Sequence, residues 1–212
     1  MATRTYTHLY DNHDDAMHTV QALEAVGVPH ADISLVANNV DDRYGATGTD
    51  AAAGGVTGDT GAEATGAGTG ASVGTILGGG AGLLAGLGML AIPGVGPVVA
   101  AGWLVATLTG AGVGAAGGGL LGSLVGAGVP EEHAHTYAEG VRRGGTLVTV
   151  RADEGQAARI EAILDGRTPV AVDVAARRAD YQQAGWTGFS QTAQPLSATE
   201  ITAERSRRVR VS

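Results

Sequence analysis

The sequence predicts an α+β domain interrupted by an inserted helical hairpin. Three observations predict it. Strand-helix-strand patterns occur at both ends of the chain. A tract without a single charged residue runs between Glu63 and Glu131, and Pro93-Gly94-Val95-Gly96-Pro97 divides that tract in two.

The first pattern starts with the Thr- and Tyr-rich run Thr3 to Tyr10, which reads as a strand. Asp11 to Asp15 supplies a turn, an N-cap and acids suited to a helix N-terminus. Ala16, Val20, Leu23 and Val26 recur near helical spacing, and Gly27 and Pro29 end that helix. Ile33 to Ala37 is a second short strand. Residues 1–38 are thus one β-α-β half. Residues 39–65 lose their large apolar groups and read as a flexible Asp/Gly/Thr linker, with Tyr44 and Val56 as exceptions.

Residues 66–129 read as the hairpin, with its turn at 92–97. Two prolines so close should end one helix and start another, so the halves run from Thr69 to Ile92 and from Val98 to Val129. Each would be on the order of 35–45 Å long, enough for a hydrocarbon core of about 30 Å. Gly70, Gly74, Gly78, Gly82 and Gly86 recur at every fourth position. Gly102, Ala106, Gly110, Gly114, Gly118, Gly122 and Gly126 do so in the second half. On helices such rows are grooves without side chains, where backbones approach closely. A helical Gly costs roughly 0.8–1 kcal/mol relative to Ala. The glycines between positions 74 and 88 would therefore oppose the first helix by on the order of 5–7 kcal/mol. A bilayer or tight packing against other helices has to offset that, which makes the tract an association element. Pro93, Gly94, Gly96 and Pro97 form its hinge. Arg142 and Arg143 fit a cytoplasmic flank.

Residues 130–176 read as the second half. Pro130, Glu131 and Glu132 open a helix with Tyr137 and Val141 on its apolar face, stopped by Gly144 and Gly145. Thr146 to Val150 is a strand and Glu154 to Leu164 a helix. Val170, Val172 and Val174 alternate in a last strand, Pro169 to Val174. Two β-α-β halves of this kind form the ferredoxin-like arrangement, a four-stranded antiparallel sheet backed by helices. Residues 177–212 are a polar tail containing Tyr181, Trp186 and Phe189. Ser197 to Glu200 has capping-box spacing for a short helix, and Arg205, Arg207, Arg208 and Arg210 make it basic.

Composition removes several function classes. The chain has no Cys, so thiolate metal sites and Cys nucleophiles are excluded. All thirteen basic residues are Arg, which removes a Walker A lysine and Schiff-base chemistry. A net charge of −8 argues against general nucleic-acid binding. The first residues lack the apolar run of a signal peptide, so a cytoplasmic start is the default.

Candidate chemistry is sparse. Gly112-Val-Gly114-Ala-Ala-Gly117 matches the dinucleotide fingerprint literally. No strand precedes it, and the acid at Glu131 opens a helix rather than ending a strand. His133 and His135 fall on different faces of a helix, and His8, His13, His18 and His30 lack metal-ligand spacing. Asp14-Asp15 and Glu131-Glu132 are helix-start acids. No catalytic residue, metal or cofactor is expected.

Asp32-Ile-Ser-Leu-Val-Ala-Asn38, Ala91-Ile-Pro-Gly-Val-Gly-Pro-Val-Val-Ala-Ala-Gly102 and Leu108-Thr-Gly-Ala-Gly-Val-Gly-Ala-Ala-Gly117 together resemble the bacterial general-stress family, the heat-induced or low-temperature-induced stress proteins. Pro130 to Gly145 and Thr146 to Asp153 fit it as well, and the resemblance spans residues 3–175. It implies a stress-associated protein, often described as membrane-associated, with no established activity and no catalytic residues to carry over. The long linker and the aromatic-containing tail depart from the family pattern.

The leading expectation is a non-enzymatic structural protein at the cytoplasmic face of the membrane, its glycine-zipper hairpin mediating membrane association, homo-oligomerisation or both. Its partners would be copies of itself and membrane lipid, without nucleic acid. The first alternative is a soluble ring, shell or filament with bundled hairpins. The second is a small-ligand sensor acting through the ferredoxin-like domain, which rests on fold analogy only.

Overall fold

The computed structural model describes residues 3–44, 88–109, 119–164 and 171–209. Within them, five strands form one antiparallel sheet, accompanied by seven helices. In chain order the strands are β1 (Thr3–Tyr10), β2 (Ile33–Asn38), β3 (Gly88–Ile92), β4 (Gly96–Ala101) and β5 (Thr146–Asp153). The helices are α1 (His13–Ala25), α2 (Trp103–Thr109), α3 (Gly119–Gly126), α4 (Glu131–Arg142), α5 (Ala157–Leu164), α6 (Val174–Gln183) and α7 (Ala198–Val209).

Strand order is β1-β5-β2-β4-β3. Both β1 and β2 pair antiparallel with β5, so they run parallel to each other with β5 between them. Period-two alternation sends each strand's side chains to two different cores. Tyr6, Tyr10, Ile33, Leu35, Val99, Val148 and Val150 share one face with Ala16, Val20 and Leu23 of α1 and Ile160 and Leu164 of α5. Leu9, Val36, Val98, Ala100 and Leu147 share the other with Leu104, Leu120, Leu124, Ala134, Ala138 and Val141 of α2, α3 and α4. The sheet is therefore sandwiched between helical layers.

Several elements form as the sequence predicts. Asn12 caps α1, its side chain accepting from the Asp14 N–H at 3.2 Å, with Asp14 and Asp15 in the first turn. The helix closes where the Val28 N–H reaches the Leu23 carbonyl at 3.1 Å. Pro130 precedes α4, whose first turn holds Glu131 and Glu132. The Ser197–Glu200 capping box is present at α7, the Glu200 carboxylate accepting from the Ser197 N–H at 2.8 Å.

The hairpin is the main correction. The part of the expected first helix that is described, residues 88–92, is strand β3. The expected helix from Val98 to Val129 is instead β4, then α2, then α3. Residues 66–87 and 110–118 lie outside the described residues. The hinge turns a β-hairpin: the Val95 N–H returns to the Ile92 carbonyl at 3.0 Å. Pro93 and Gly94 (φ +77°) sit where a type II turn takes its proline and its left-handed residue. Gly96 and Pro97 enter β4. Val98, Val99 and their alternating neighbours satisfy a half-buried strand better than a helix. Among the described leucines of the tract, Leu104, Leu120 and Leu124 are fully buried in the second core.

Three smaller differences concern the remaining segments. The linker is fixed at its start, with the Asn39 N–H on the Pro97 carbonyl at 2.9 Å and the Tyr44 N–H on the Asn39 side chain at 3.0 Å. Residues 45–65 lie outside the described residues. The strand expected from Pro169 to Val174 is not formed over residues 171–173, and Val174 starts α6. Asp173 caps α6 by accepting from the N–H groups of Ala175 and Ala176, which favours a helix start there. One bond, Val172 N–H to the Leu9 carbonyl at 2.8 Å, still ties that segment to β1. Finally, the polar tail is part of the fold: Tyr181, Phe189 and Ile201 are buried, and Ser190, Gln191 and Pro195 press on the β3–β4 turn at Gly94 and Gly96.

Candidate functional surfaces

Two surfaces merit description, one apolar and one charged. The apolar one is the outer edge of β3. Leu90 and Ile92 point into the second core, while Met89 and Ala91 alternate to the opposite face and are exposed. Met89 is 43% exposed, one of two exposed large hydrophobic residues among those described. The strand carries no charge and no internal proline, the usual devices that blunt an edge. Among the described residues nothing pairs with its outer side.

The charged surface is a cleft of about 360 Å³ where α6 and α7 meet the body. Asp11, Arg143, Arg177, Asp180, Tyr181, Ala184, Glu204, Arg207 and Arg208 line it. At its base Arg177 grips Asp11 with both prongs of its guanidinium, Nη1 on Oδ1 at 2.8 Å and Nη2 on Oδ2 at 2.6 Å. Arg208 donates to the same Oδ1 at 3.0 Å. Burial disfavours the Asp11 anion. The Arg177 hydrogen bonds and the charges of Arg208 and Arg177 outweigh it, and hold the carboxyl below its ordinary value of 3.8. The reciprocal contact raises Arg177 despite burial.

Tyr181 forms one wall. Its ring lies under the Arg143 guanidinium, 4.5 Å from centroid to carbon, and meets Trp186 edge-on at 5.6 Å. Burial raises the phenol above 10.0 against the pull of Arg208 and Arg177, so the group is a neutral donor. The hydroxyl is buried beside the Arg177 guanidinium, which can only donate to it, and no acceptor for its own hydrogen is found among the described residues. Arg143 also donates to the buried Glu139 at 2.6 Å and lies 3.5 Å from Glu204. Arg207, on the rim and 69% exposed, reaches Glu204 at 3.2 Å.

The sequence-derived candidates are distributed as follows. Gly70, Gly74, Gly78, Gly82, Gly86, Gly110, Gly114 and Gly118 lie outside the described residues, as does the fingerprint-like stretch 112–117. Gly102 is not helical: at φ +90° it turns the corner from β4 to α2. Ala106 is exposed on α2, and Gly122 and Gly126 are on α3, so the second row does not run along one helix. The α4 histidines have structural surroundings, His135 accepting the Phe189 N–H at 3.1 Å. Among the described residues no cluster could hold a metal.

Arg142 and Arg143, expected beside a membrane, both donate to Glu139. The basic tail is likewise engaged, with Arg205 on Asp41 and on the Gly144 carbonyl and Arg208 on Asp11. Sequence reasoning missed the cleft because Asp11 lies 166 positions from Arg177 and 197 from Arg208. The only local trace was the trio of aromatics in a polar tail. Among the described residues no helix is long and apolar enough to cross a membrane. Comparison with family models, curated proteins and solved structures gives no match for this chain.

Proposed function

We propose that this chain is a non-enzymatic, stress-associated structural protein that works by associating with copies of itself, and that β3 is the contact. The observation that carries the reading is β3 itself: an uncharged edge strand with an exposed Met89 and, among the described residues, no partner on its outer side. An antiparallel β3–β3 pairing would continue the sheet across two copies, with main-chain hydrogen bonds supplying the affinity. Because the surrounding sequence is charge-free from residue 64 to residue 130, the net charge of −8 is kept away from that contact. The resemblance to bacterial general stress proteins supports the stress-associated role. The β1-α1-β2 unit with β5 between its strands, and the Val172 bond to β1 at the fourth-strand position, support reading the body as ferredoxin-like.

Sedimentation velocity in detergent-free buffer tests it. The wild type is expected to sediment as a dimer or larger, and the double variant Met89→Lys, Ala91→Lys as a monomer with unchanged circular dichroism. A wild-type monomer at tens of micromolar would refute self-association. A membrane-attached form of the same role, at the cytoplasmic face, rests on the charge-free tract. The flotation of the double variant with liposomes as readily as the wild type would favour it over β3 pairing.

A further inference from the structure

We propose that the arginine-lined cleft between α6, α7 and the body binds the phosphate group of a small molecule. Four guanidiniums, those of Arg143, Arg177, Arg207 and Arg208, converge on one cavity, against the carboxylates of Asp11, Asp180 and Glu204. Four guanidiniums against three carboxylates leave the lining positive by one, in a chain whose formal charge is −8. The cavity, at about 360 Å³, has the size of a small-ligand pocket. Tyr181 adds an independent sign: it is 4% exposed, its hydroxyl lies beside Arg177, which can only donate, and the O–H hydrogen has no acceptor among the described residues. A buried hydroxyl left in that condition costs free energy that an acceptor in the cleft would restore.

The chemistry selects phosphate over a carboxylate. Carboxylates already stand in the cleft, and a carboxylate ligand would only exchange one planar pair of acceptors for another. A phosphate sets three acceptor oxygens on one centre, enough to engage the exposed Arg207, the outer edge of Arg143 and the Tyr181 hydroxyl together. Stacking of a base is not part of this site, because Arg143 covers the Tyr181 ring at 4.5 Å. Binding would bridge the C-terminal end of α4, where Arg143 stands, to α6 and α7, and so tighten the C-terminal strap on the body.

Isothermal titration of the full chain with inorganic phosphate at constant ionic strength tests the proposal, with malonate as the carboxylate probe. Saturable binding of phosphate is expected, tighter than that of malonate. Arg207→Gln should weaken it about tenfold, as one lost charge-assisted hydrogen bond does. Arg207 is exposed and pairs only at the rim, so this variant keeps the fold. Tyr181→Phe, which keeps the ring, should weaken binding several-fold as well. No saturable heat up to about 10 mM phosphate, an affinity range of a few kcal/mol at most, overturns the proposal. So does malonate binding at least as tightly, or phosphate affinity unchanged in both variants.

Discussion

Replacing Gly102 by Ala distinguishes the two ways of reading the charge-free tract, because they predict opposite signs. Were Gly102 in a helix of a glycine row, alanine would stabilise by about 0.8–1 kcal/mol through helix propensity. In the structure Gly102 has φ +90°, a region that costs an L-residue roughly 1–2 kcal/mol. The added Cβ would also fall 2.1 Å from the Ile33 carbonyl oxygen and 2.7 Å from the Ser34 Cα. Both are backbone atoms of β2, which cannot rotate away as a flexible side chain would. The β4–α2 corner would have to lift from β2, loosening the Leu35–Ala101 pairing and the 2.7 Å bond from the Ser34 hydroxyl to the Ala101 carbonyl. Losing that buried bond adds about 1 kcal/mol. The total is about 3–5 kcal/mol once displaced packing is included, a large share of a typical domain stability of roughly 5–15 kcal/mol. Urea unfolding should show a lower midpoint at similar slope. Gly126→Ala is the control: it ends α3 with open space where the Cβ would go, and should be neutral or stabilising by less than about 1 kcal/mol. A Gly102→Ala protein as stable as wild type would refute the corner.

Two further outcomes follow from the same structure. Leu124→Ala should cost about 2–5 kcal/mol by urea unfolding, because Leu124 is fully buried in the second core; a change below about 0.5 kcal/mol would mean that α3 does not pack there. The Asp11 carboxyl has a folded value below its ordinary 3.8, so the folded chain binds this proton less readily than the unfolded chain. Its contribution is then fully present above about pH 4 and fades as pH falls through the lowered folded value. Urea midpoints of wild type should drop more steeply between about pH 4 and pH 2 than those of Asp11→Asn, which lacks that carboxyl; parallel curves would show that Arg177 and Arg208 do not stabilise the anion.

Legibility in the sequence follows the range of the interactions involved. The elements β1, α1, β2, α4 and β5 announce themselves through caps, helix-start acids and short-period apolar patterns, all of which act within a few residues. The strands β3 and β4 do not. Gly88–Ile92 and Gly96–Ala101 are short apolar runs, for which strand and buried helix give the same pattern, and Pro97 inside β4 suggests a helix start. What decides them is tertiary: Val98 and Val99 find β2 on one side and β3 on the other. The tail is harder still. Tyr181, Phe189 and Ile201 are buried among mostly polar neighbours, so no periodic stripe marks them. The cleft is least legible, because Asp11 and the arginines that hold it come from opposite ends of the chain.

Charge-free length does not by itself say which apolar surroundings a tract takes. A tract without charge has to leave water, but a protein core serves as well as a bilayer, and the described leucines of this tract are in a core. Glycine spacing is ambiguous in the same way. In a chain with 36 glycines, fourfold spacing arises among residues with unrelated duties: Gly102 makes a corner, whereas Gly126 ends a helix and faces open space. Among the described residues, close approach to a helical glycine occurs at Gly140, which belongs to neither row. At Gly140 of α4 a Cβ would fall 2.4 Å from a methyl of Leu9, so the missing side chain there admits β1 rather than another helix. Gly140 therefore applies the packing logic of small residues to helix on sheet, inside one molecule. Among the described residues, main chain is left unpaired along the outer side of β3, which is where we propose that copies of this chain meet.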